Sequence, residues 1–339
     1  LHLLSRRQRQ MCIRDRLELA EKFYLQGGKH LFLDEVHKYP TWSKELKEIY
    51  DLYPSLQIVF SGSSLLNILN ADADLSRRCL PYNMYGLSFR EFLMFYKNIR
   101  IPVASLQEVL ENAGDICLGI NEQCRPVQMF NEYLHDGYYP FFTGNREDYY
   151  INIENIVNLI LEQEMPLLCG VDPAYIRKLK ALLSILASSV PYEVDITKLA
   201  GTIGLTRNSV ITYLQNLDRA ELLKLLYSDL TSVKKMQKPD KIYLQNPNLL
   251  YAIASTSVQI GTARETFAIS QLSVNHEIEY GKTQGDFVVD HKYTFEVGGA
   301  DKTFKQIADL SDSFILADNI EYALSLIHIC RCRRLNRCR

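Results

Sequence analysis

Three observations predict an α/β fold. Short apolar runs such as those in "KHLFLDE" and "LQIVFSGSS" alternate with stretches whose apolar residues recur at helical spacing. The runs lack polar alternation, as strands buried on both faces of a parallel sheet do. Hydrophobic residues make up 47% and charged residues 23% of the 339, which excludes a disordered or fibrous chain and leaves room for several cores.

The elements follow in order. Residues 17–26 read as a helix closed by Gly27-Gly28, and "KHLFLDE" as a strand. In "TWSKELKEIYDLYP" the residues Trp42, Leu46, Ile49 and Tyr50 are spaced for one helix face, with Thr41 as N-cap and Pro54 beyond the end. "LQIVFSGSS" is a second strand running into a polar turn, "SLLNILNADADLSRR" a helix, "YNMYGLS" a third, alternating strand, and "FREFLMFYK" a helix. The sheet these strands form is expected to be covered on both faces.

Residues 105–175 read as mainly helical, broken at "HDGYYPFF". Residues 176–228 form a compact helical group followed by strand-like "LKLLYSD". From Lys241 onward, "KIYLQN", "IEYG", "DFVVD" and "YTFEVGG" are strands, with a helix at "ARETFAISQL". The expected domains are 17–100, 101–175, 176–240 and 241–329.

The net charge of −2 conceals basic ends. Residues 1–16 and 330–339 carry five arginines each, so the residues between are acidic overall. Basic arms can bind nucleic acid, and the Cys-x-Cys at 330–332 can bind metal. The reading preferred to both is that "MCIRDR" and "SLIHICRCRR" resemble translated sequencing-adapter sequence, so that both ends are artefactual flanks of a truncated gene fragment. The other cysteines, Cys79, Cys117, Cys124 and Cys169, are scattered singly and read as reduced thiols. No apolar run approaches the roughly 20 residues of a membrane span, and no secretory core precedes them. A cytoplasmic address without membrane contact is expected.

The chemistry-bearing motif is "HLFLDEVH". An apolar strand ending in Asp34-Glu35 has the form of the Walker B element of P-loop ATPases. There the first carboxylate holds Mg²⁺ through water, and the second polarises the attacking water. The next strand ends in "SGSS", a place for a polar sensor at Ser61, and "DLSRR" supplies Arg77 and Arg78, either of which could neutralise transition-state charge.

Together, "FLDEVHKYPTWSKELKEIYDLYP", "IVFSGSS", "DLSRR" and "GLSFREFL" resemble predicted AAA+-superfamily ATPases with a DUF4143-type C-terminal region, in particular a Bacteroidetes-like branch. The resemblance implies that Asp34 is the Mg²⁺ ligand and Glu35 the catalytic carboxylate. It makes Ser61 the sensor and Arg77 or Arg78 an arginine finger, with ATP and Mg²⁺ as cofactors. The chain departs from the family at one point: G-x-x-x-x-G-K-[ST] occurs nowhere in it. "QGGKH" (26–30) has neither the spacing nor the Ser/Thr, and it precedes a strand. The expectation is half of a nucleotide site, whose phosphate loop was lost by truncation.

Two further segments carry function. "DITKLAGTIGLTRNSVITYLQNLDRAELL" has the cadence of a helix-turn-helix: a helix from Ile196, a turn at Gly204, then Thr206 capping a second helix with a stripe of Val210, Tyr213, Leu214 and Leu217. It reads as a winged helix with "DLTSVKKMQKPDKIYL" as the wing. Arg207, Asn208, Lys234 and Lys235 could contact nucleic acid, or the module could serve a protein partner or a hinge.

The order Glu265, Asp286, Glu296 resembles the PD-(D/E)xK nuclease fold. Active members place a lysine two residues after the last acid, and that slot here is Gly298. Lys302 and Lys305 lie further on. A degenerate restriction-endonuclease-like scaffold is expected in preference to a working nuclease.

The whole reads as an incomplete parallel P-loop ATPase sheet, a helical lid, a winged helix and the nuclease-like domain. Nucleotide state would move the C-terminal modules for a protein client. The competing classes are a regulatory module that binds DNA or protein without nucleotide chemistry, and a metal-dependent nuclease.

Overall fold

The computed structural model describes residues 14–38, 41–62, 75, 77–142, 144–189, 191–228, 230, 238–254, 258–282, 285–303 and 307–320. The chain divides into two compact units, Leu1–Met84 and Tyr85–Arg339.

The first unit contains α1 (Arg14–Leu25), β1 (His30–Leu33), a 3₁₀ turn (Val36–Lys38), α2 (Trp42–Leu52) and β2 (Gln57–Phe60). The helix α1 begins inside the segment read as a flank; residues 1–13 and 321–339 lie outside the described residues. β1 and β2 are parallel, in register from His30↔Gln57 to Leu33↔Phe60. Because side chains alternate along a strand, Leu31 and Ile58 pack with Ala20, Ile49 and Leu56, while Leu33 and Phe60 pack with Trp42, Leu46 and Leu75.

The opposite face corrects the expectation of a sheet covered on both sides. Phe32 and Val59, partners across the ladder, are 72% and 56% exposed. The third strand also fails: 79–88 has no regular structure. Alternation alone does not make a strand without a neighbour to receive its backbone groups. Tyr50 lies outside the buried stripe of α2, at 46% exposure. Thr41 precedes α2 but gives no side-chain cap; its hydroxyl donates to Glu45 Oε1 at 2.6 Å instead. The helix expected over most of 64–78 falls largely outside the described residues.

The second unit opens with helices α3 (Phe89–Lys97), α4 (Leu106–Glu111), α5 (Ala113–Asn121) and α6 (Pro126–Asp136). Capping boxes start two of them, Ser88 with Glu91 and Ser105 with Glu108. After the break at 137–145 come α7 (Arg146–Leu159), a π turn (Ile160–Glu164), α8 (Met165–Cys169) and α9 (Ile176–Ser189). Next are β3 (Tyr192–Glu193), α10 (Ile196–Ile203), α11 (Arg207–Arg219), β4 (Leu223–Leu226), β5 (Lys241–Leu244), α12 (Pro247–Ala254) and α13 (Ile260–Leu272). The last elements are β6 (Ile278–Tyr280), β7 (Phe287–Val289), β8 (Tyr293–Gly298) and β9 (Ser313–Ala317).

Two sheets result. One is antiparallel in the order β3-β5-β4; the other runs β6-β7-β8-β9, antiparallel except for the parallel pair β8–β9. Each core draws on several segments: Phe130 of α6 meets Phe267 of α13 edge-on, ring centres 4.7 Å apart. Asn248 joins α12 to the helical part. Its Nδ2 donates to the carbonyls of Tyr133 (3.0 Å) and Leu134 (2.7 Å), and its Oδ1 accepts from the Tyr138 amide and the Tyr149 hydroxyl, both at 2.6 Å. That amide group has every bond a buried Asn can make through these four.

Candidate functional site

The parallel register of β1 and β2 ends both strands side by side, so the residues that follow them meet. The Ser61 hydroxyl donates to Asp34 Oδ1, and the Glu35 amide donates to Ser61 Oγ at 3.2 Å. Backbone bonds continue the ladder: Ser61 N–H to the Leu33 carbonyl (2.9 Å) and Val36 N–H to the Ser61 carbonyl (3.0 Å). Glu35 takes a left-handed backbone, φ 54°, and its carboxylate pairs with Lys38 at 2.7 Å. Asp34 and Ser61 are exposed, so the strand tips form an open shelf of oxygen donors. Such a donor set suits a hard cation.

The arginines separate. Arg78 forks onto Asp51 of α2 (3.0 and 3.3 Å), whereas Arg77 is exposed. The amides of "QGGKH" are not a phosphate cradle. Gln26, Gly27 and Gly28 donate to the carbonyls of Lys22, Tyr24 and Phe23 and are consumed in closing α1. An added Cβ at Gly28 would strike the Phe23 ring at 2.3–2.5 Å. The oxygen donors for Mg²⁺ therefore fit, and a cradle for the triphosphate is not supplied by these amides.

In the second unit α10 and α11 meet at Gly204, φ 69°, whose carbonyl accepts from Lys178 Nζ at 2.6 Å. Thr206 Oγ1 accepts the Ser209 amide at 3.1 Å, the expected cap. Val210, Leu214 and Leu217 are buried, and Tyr213 is half-buried. Arg207 and Asn208 stand exposed at the start of α11, while Lys234 and Lys235 lie outside the described residues.

The three C-terminal acids all lie within electrostatic reach of Lys302. Glu265 comes from α13, Asp286 from the residue before β7, and Glu296 from the middle of β8. Glu265 Oε2 accepts from the Tyr243 hydroxyl (2.6 Å) and from Lys241 Nζ (3.2 Å), both on β5. Asp286 Oδ2 accepts the Val297 amide at 2.8 Å. Glu296, buried, pairs with Lys302 Nζ at 2.5 Å. Burial raises the Glu265 pKa; Lys241 opposes this and Asp286 adds to it. Burial likewise lifts the Tyr243 phenol well above its usual range, helped by Glu265. The bond to Glu296 holds Lys302 above an ordinary lysine, and the charges of Asp286 and Glu265 add to it.

The pairing of Lys241 and Tyr243 with Glu265 was invisible to motif reading, since nothing local marks "KIY" as facing an acid two dozen residues on; Lys241, which sequence places in a basic patch, is buried against that acid. Lys305 lies outside the described residues. Among the described residues, no group of three or more His, Cys, Asp and Glu side chains stands arranged to hold a metal ion, and no helix is long and apolar enough to cross a membrane.

Residues 3–93 match the family model of an AAA domain, and residues 127–259 match that of a domain of unknown function, DUF8612. Two curated proteins of Methanocaldococcus jannaschii are similar. Uncharacterized protein MJ1637 is 29% identical over 217 residues, covering 62% of this chain and 45% of the relative. Uncharacterized protein MJ1544 is 26% identical over 213 residues, covering 60% and 44%. The chain thus spans less than half the length of these relatives. No solved structure matches. The match over 127–259 carries a different label from the DUF4143-type region that the sequence resembles. With its paired strand tips, the N-terminal part of the chain is similar to an AAA-type, ATPase-like family.

Proposed function

We propose that residues 30–62 form the carboxylate-and-sensor half of an AAA-type ATP site. The Ser61 hydroxyl on Asp34, across the tips of two parallel strands, carries this reading. Asp34 would hold Mg²⁺ through water, Glu35 would orient the attacking water, and Ser61 fixes the Asp34 carboxylate. Mg²⁺–ATP supplies the phosphoryl group and the charge that such a site neutralises. Arg77, exposed, is the better placed of the two arginines to reach a nucleotide, since Arg78 is held by Asp51. The protein is read as cytoplasmic, with nucleotide state repositioning the second unit for a protein client. In that unit, the β3-β5-β4 order around α10–α11 supports a winged helix. The β6-β7-β8-β9 sheet with three acids in electrostatic reach of Lys302 supports a degenerate PD-(D/E)xK-like, DUF4143-type domain.

The test is a calorimetric titration with ATP–Mg²⁺. The chain should show no micromolar affinity. Fused behind a strand–G-x-x-x-x-G-K-[ST]–helix segment, it should bind and hydrolyse ATP, and Glu35→Gln should remove hydrolysis while keeping binding. Hydrolysis indifferent to Glu35→Gln would overturn the assignment.

A second reading, a nucleic-acid-binding module without nucleotide chemistry, is favoured by the exposure of Arg207 and Asn208 at the N-terminal end of α11. It requires duplex DNA binding at low salt that weakens in Arg207→Ala.

A further inference from the structure

Where the helix-turn-helix meets the C-terminal sheet, two adjoining cavities share one wall, lined on both sides by Val194, Asp195 and Lys238. One cavity extends to Asp240 and to Tyr280 of β6; the other runs along the first turn of α10 to Arg207 of α11. Each holds about 350 Å³, within the range of roughly 300–1,000 Å³ that small-molecule sites occupy. The place follows from the fold. The Tyr280 amide donates to the Tyr227 carbonyl just beyond β4 (2.9 Å), which brings β6 against the β3-β5-β4 sheet. Ligand sites form preferentially at such joints between modules.

The two cavities differ in chemistry. Arg207 is exposed and, among the described residues, makes no hydrogen bond or ion pair. Lys238 spends one of its three ammonium protons on the Val194 carbonyl (3.3 Å). Asp195 adds a carboxylate, but its Oδ1 already accepts the Lys198 amide at 3.0 Å as the cap of α10. Two cations with donors to spare therefore flank this cavity. A guanidinium offers a planar fork and an ammonium a point charge, and both suit a phosphate. In the other cavity Asp240 holds the Ser228 amide with Oδ2 (2.7 Å), which leaves Oδ1 to accept. Tyr280 closes that side, its ring 5.6 Å from the Lys241 ammonium.

We propose that this trough binds a small phosphomonoester whose body carries hydroxyl or amino donors. The phosphate lies between Arg207 and Lys238, and the body lies against Asp240 and Tyr280. Asp240 would repel a second anionic group, so the phosphate belongs at one end only. The site falls wholly within the second unit and rests on neither reading above; it gives Arg207 a small ligand where the second reading gives it a duplex.

Calorimetric titration of the whole chain with ribose 5-phosphate, AMP, ribose and inorganic phosphate tests it, with thermal unfolding as the check that each variant is folded. Ribose 5-phosphate or AMP should bind with submillimolar Kd, at least tenfold tighter than inorganic phosphate or ribose. Arg207→Ala and Lys238→Ala, both at exposed positions, should each cost at least tenfold. Tyr280→Leu should narrow the gap between phosphoester and inorganic phosphate. The proposal fails if no phosphoester binds more tightly than millimolar, or if inorganic phosphate binds as well as the phosphoesters. It fails equally if binding survives both Arg207→Ala and Lys238→Ala; binding that survives them and is lost in Asp34→Ala would belong to the strand tips of the first unit. Duplex DNA bound through Arg207, with no phosphoester bound, would uphold the second reading and sink this one.

Discussion

The Ser61 hydroxyl donates to the Asp34 carboxylate and accepts the Glu35 amide, tying the tips of β1 and β2 together by one side chain. Neither strand's own hydrogen-bond ladder reaches these residues' side chains, so among the described residues this serine sets where the first carboxylate points. Among the described residues this sheet has two strands, and a two-stranded sheet is marginal by itself, which makes an extra tie at its end valuable.

Ser61→Ala should therefore loosen the shelf without unfolding the unit. The groups are exposed and water can replace the hydroxyl, so the loss is about 1 kcal/mol or less. Chemical denaturation gives the magnitude, and faster amide hydrogen exchange at Glu35 locates it.

Thr206→Ala removes the acceptor of the Ser209 amide at the start of α11. Loss of such a cap costs about 1 kcal/mol, whereas Thr206→Ser should cost only a few tenths. Equal denaturation midpoints for the two variants would contradict the capping role.

Asn248→Ala is expected to be the most damaging single change among these. It removes four buried hydrogen bonds, to two carbonyls, one amide and one tyrosine hydroxyl, although the Tyr133 carbonyl keeps the Gly137 amide and the Tyr149 hydroxyl keeps the Tyr139 amide. At about 1 kcal/mol for each of the four hydrogen bonds lost, a loss of about 3 kcal/mol is expected, even with partial relaxation. Circular dichroism during thermal unfolding would show it.

His291 gives the β6–β7 edge a pH dependence. Asp290 and His291 both adopt left-handed backbone (φ 52° and 55°) in a tight turn closed by the Lys292 amide on the Val289 carbonyl. The His291 ring contacts Glu279 (2.7 Å) and Glu277 (3.4 Å). The hydrogen bond to Glu279, then the charges of Glu279 and Glu277, raise the imidazole pKa in the folded chain. A raised folded pKa stabilises most below the ordinary value of about 6.5. That contribution fades as pH climbs through the raised value. His291→Asn keeps a residue tolerant of the left-handed turn and should flatten the unfolding temperature against pH over that window. A slope unchanged from wild type would remove His291 as its source.

What could be read beforehand was what depends on neighbours in sequence. The apolar runs announced β1 and β2, and Gly204 with Thr206 announced the junction of α10 and α11, because backbone handedness and capping act over three or four residues. The acids Glu265, Asp286 and Glu296 were read from their order, and all three act electrostatically on Lys302, without forming a group arranged to hold a metal. Missed features depend on partners distant in the chain. Phe32 and Val59 looked like core residues, yet no element covers their face among the described residues. Lys241 and Tyr243 reach Glu265 only because β5 runs past α13. Lys302 reaches Glu296 only because Gly298 lacks a side chain.

β5 lies between β3 and β4 although it is the last of the three to be translated. As the polypeptide leaves the ribosome, Tyr192–Glu193 and Leu223–Leu226 emerge with no mate for either, and the sheet can close only after Lys241–Leu244 have cleared the exit tunnel. A product stopped short of that point would carry two orphan edges and an unfinished helical core, the kind of species that chaperones hold and proteases remove.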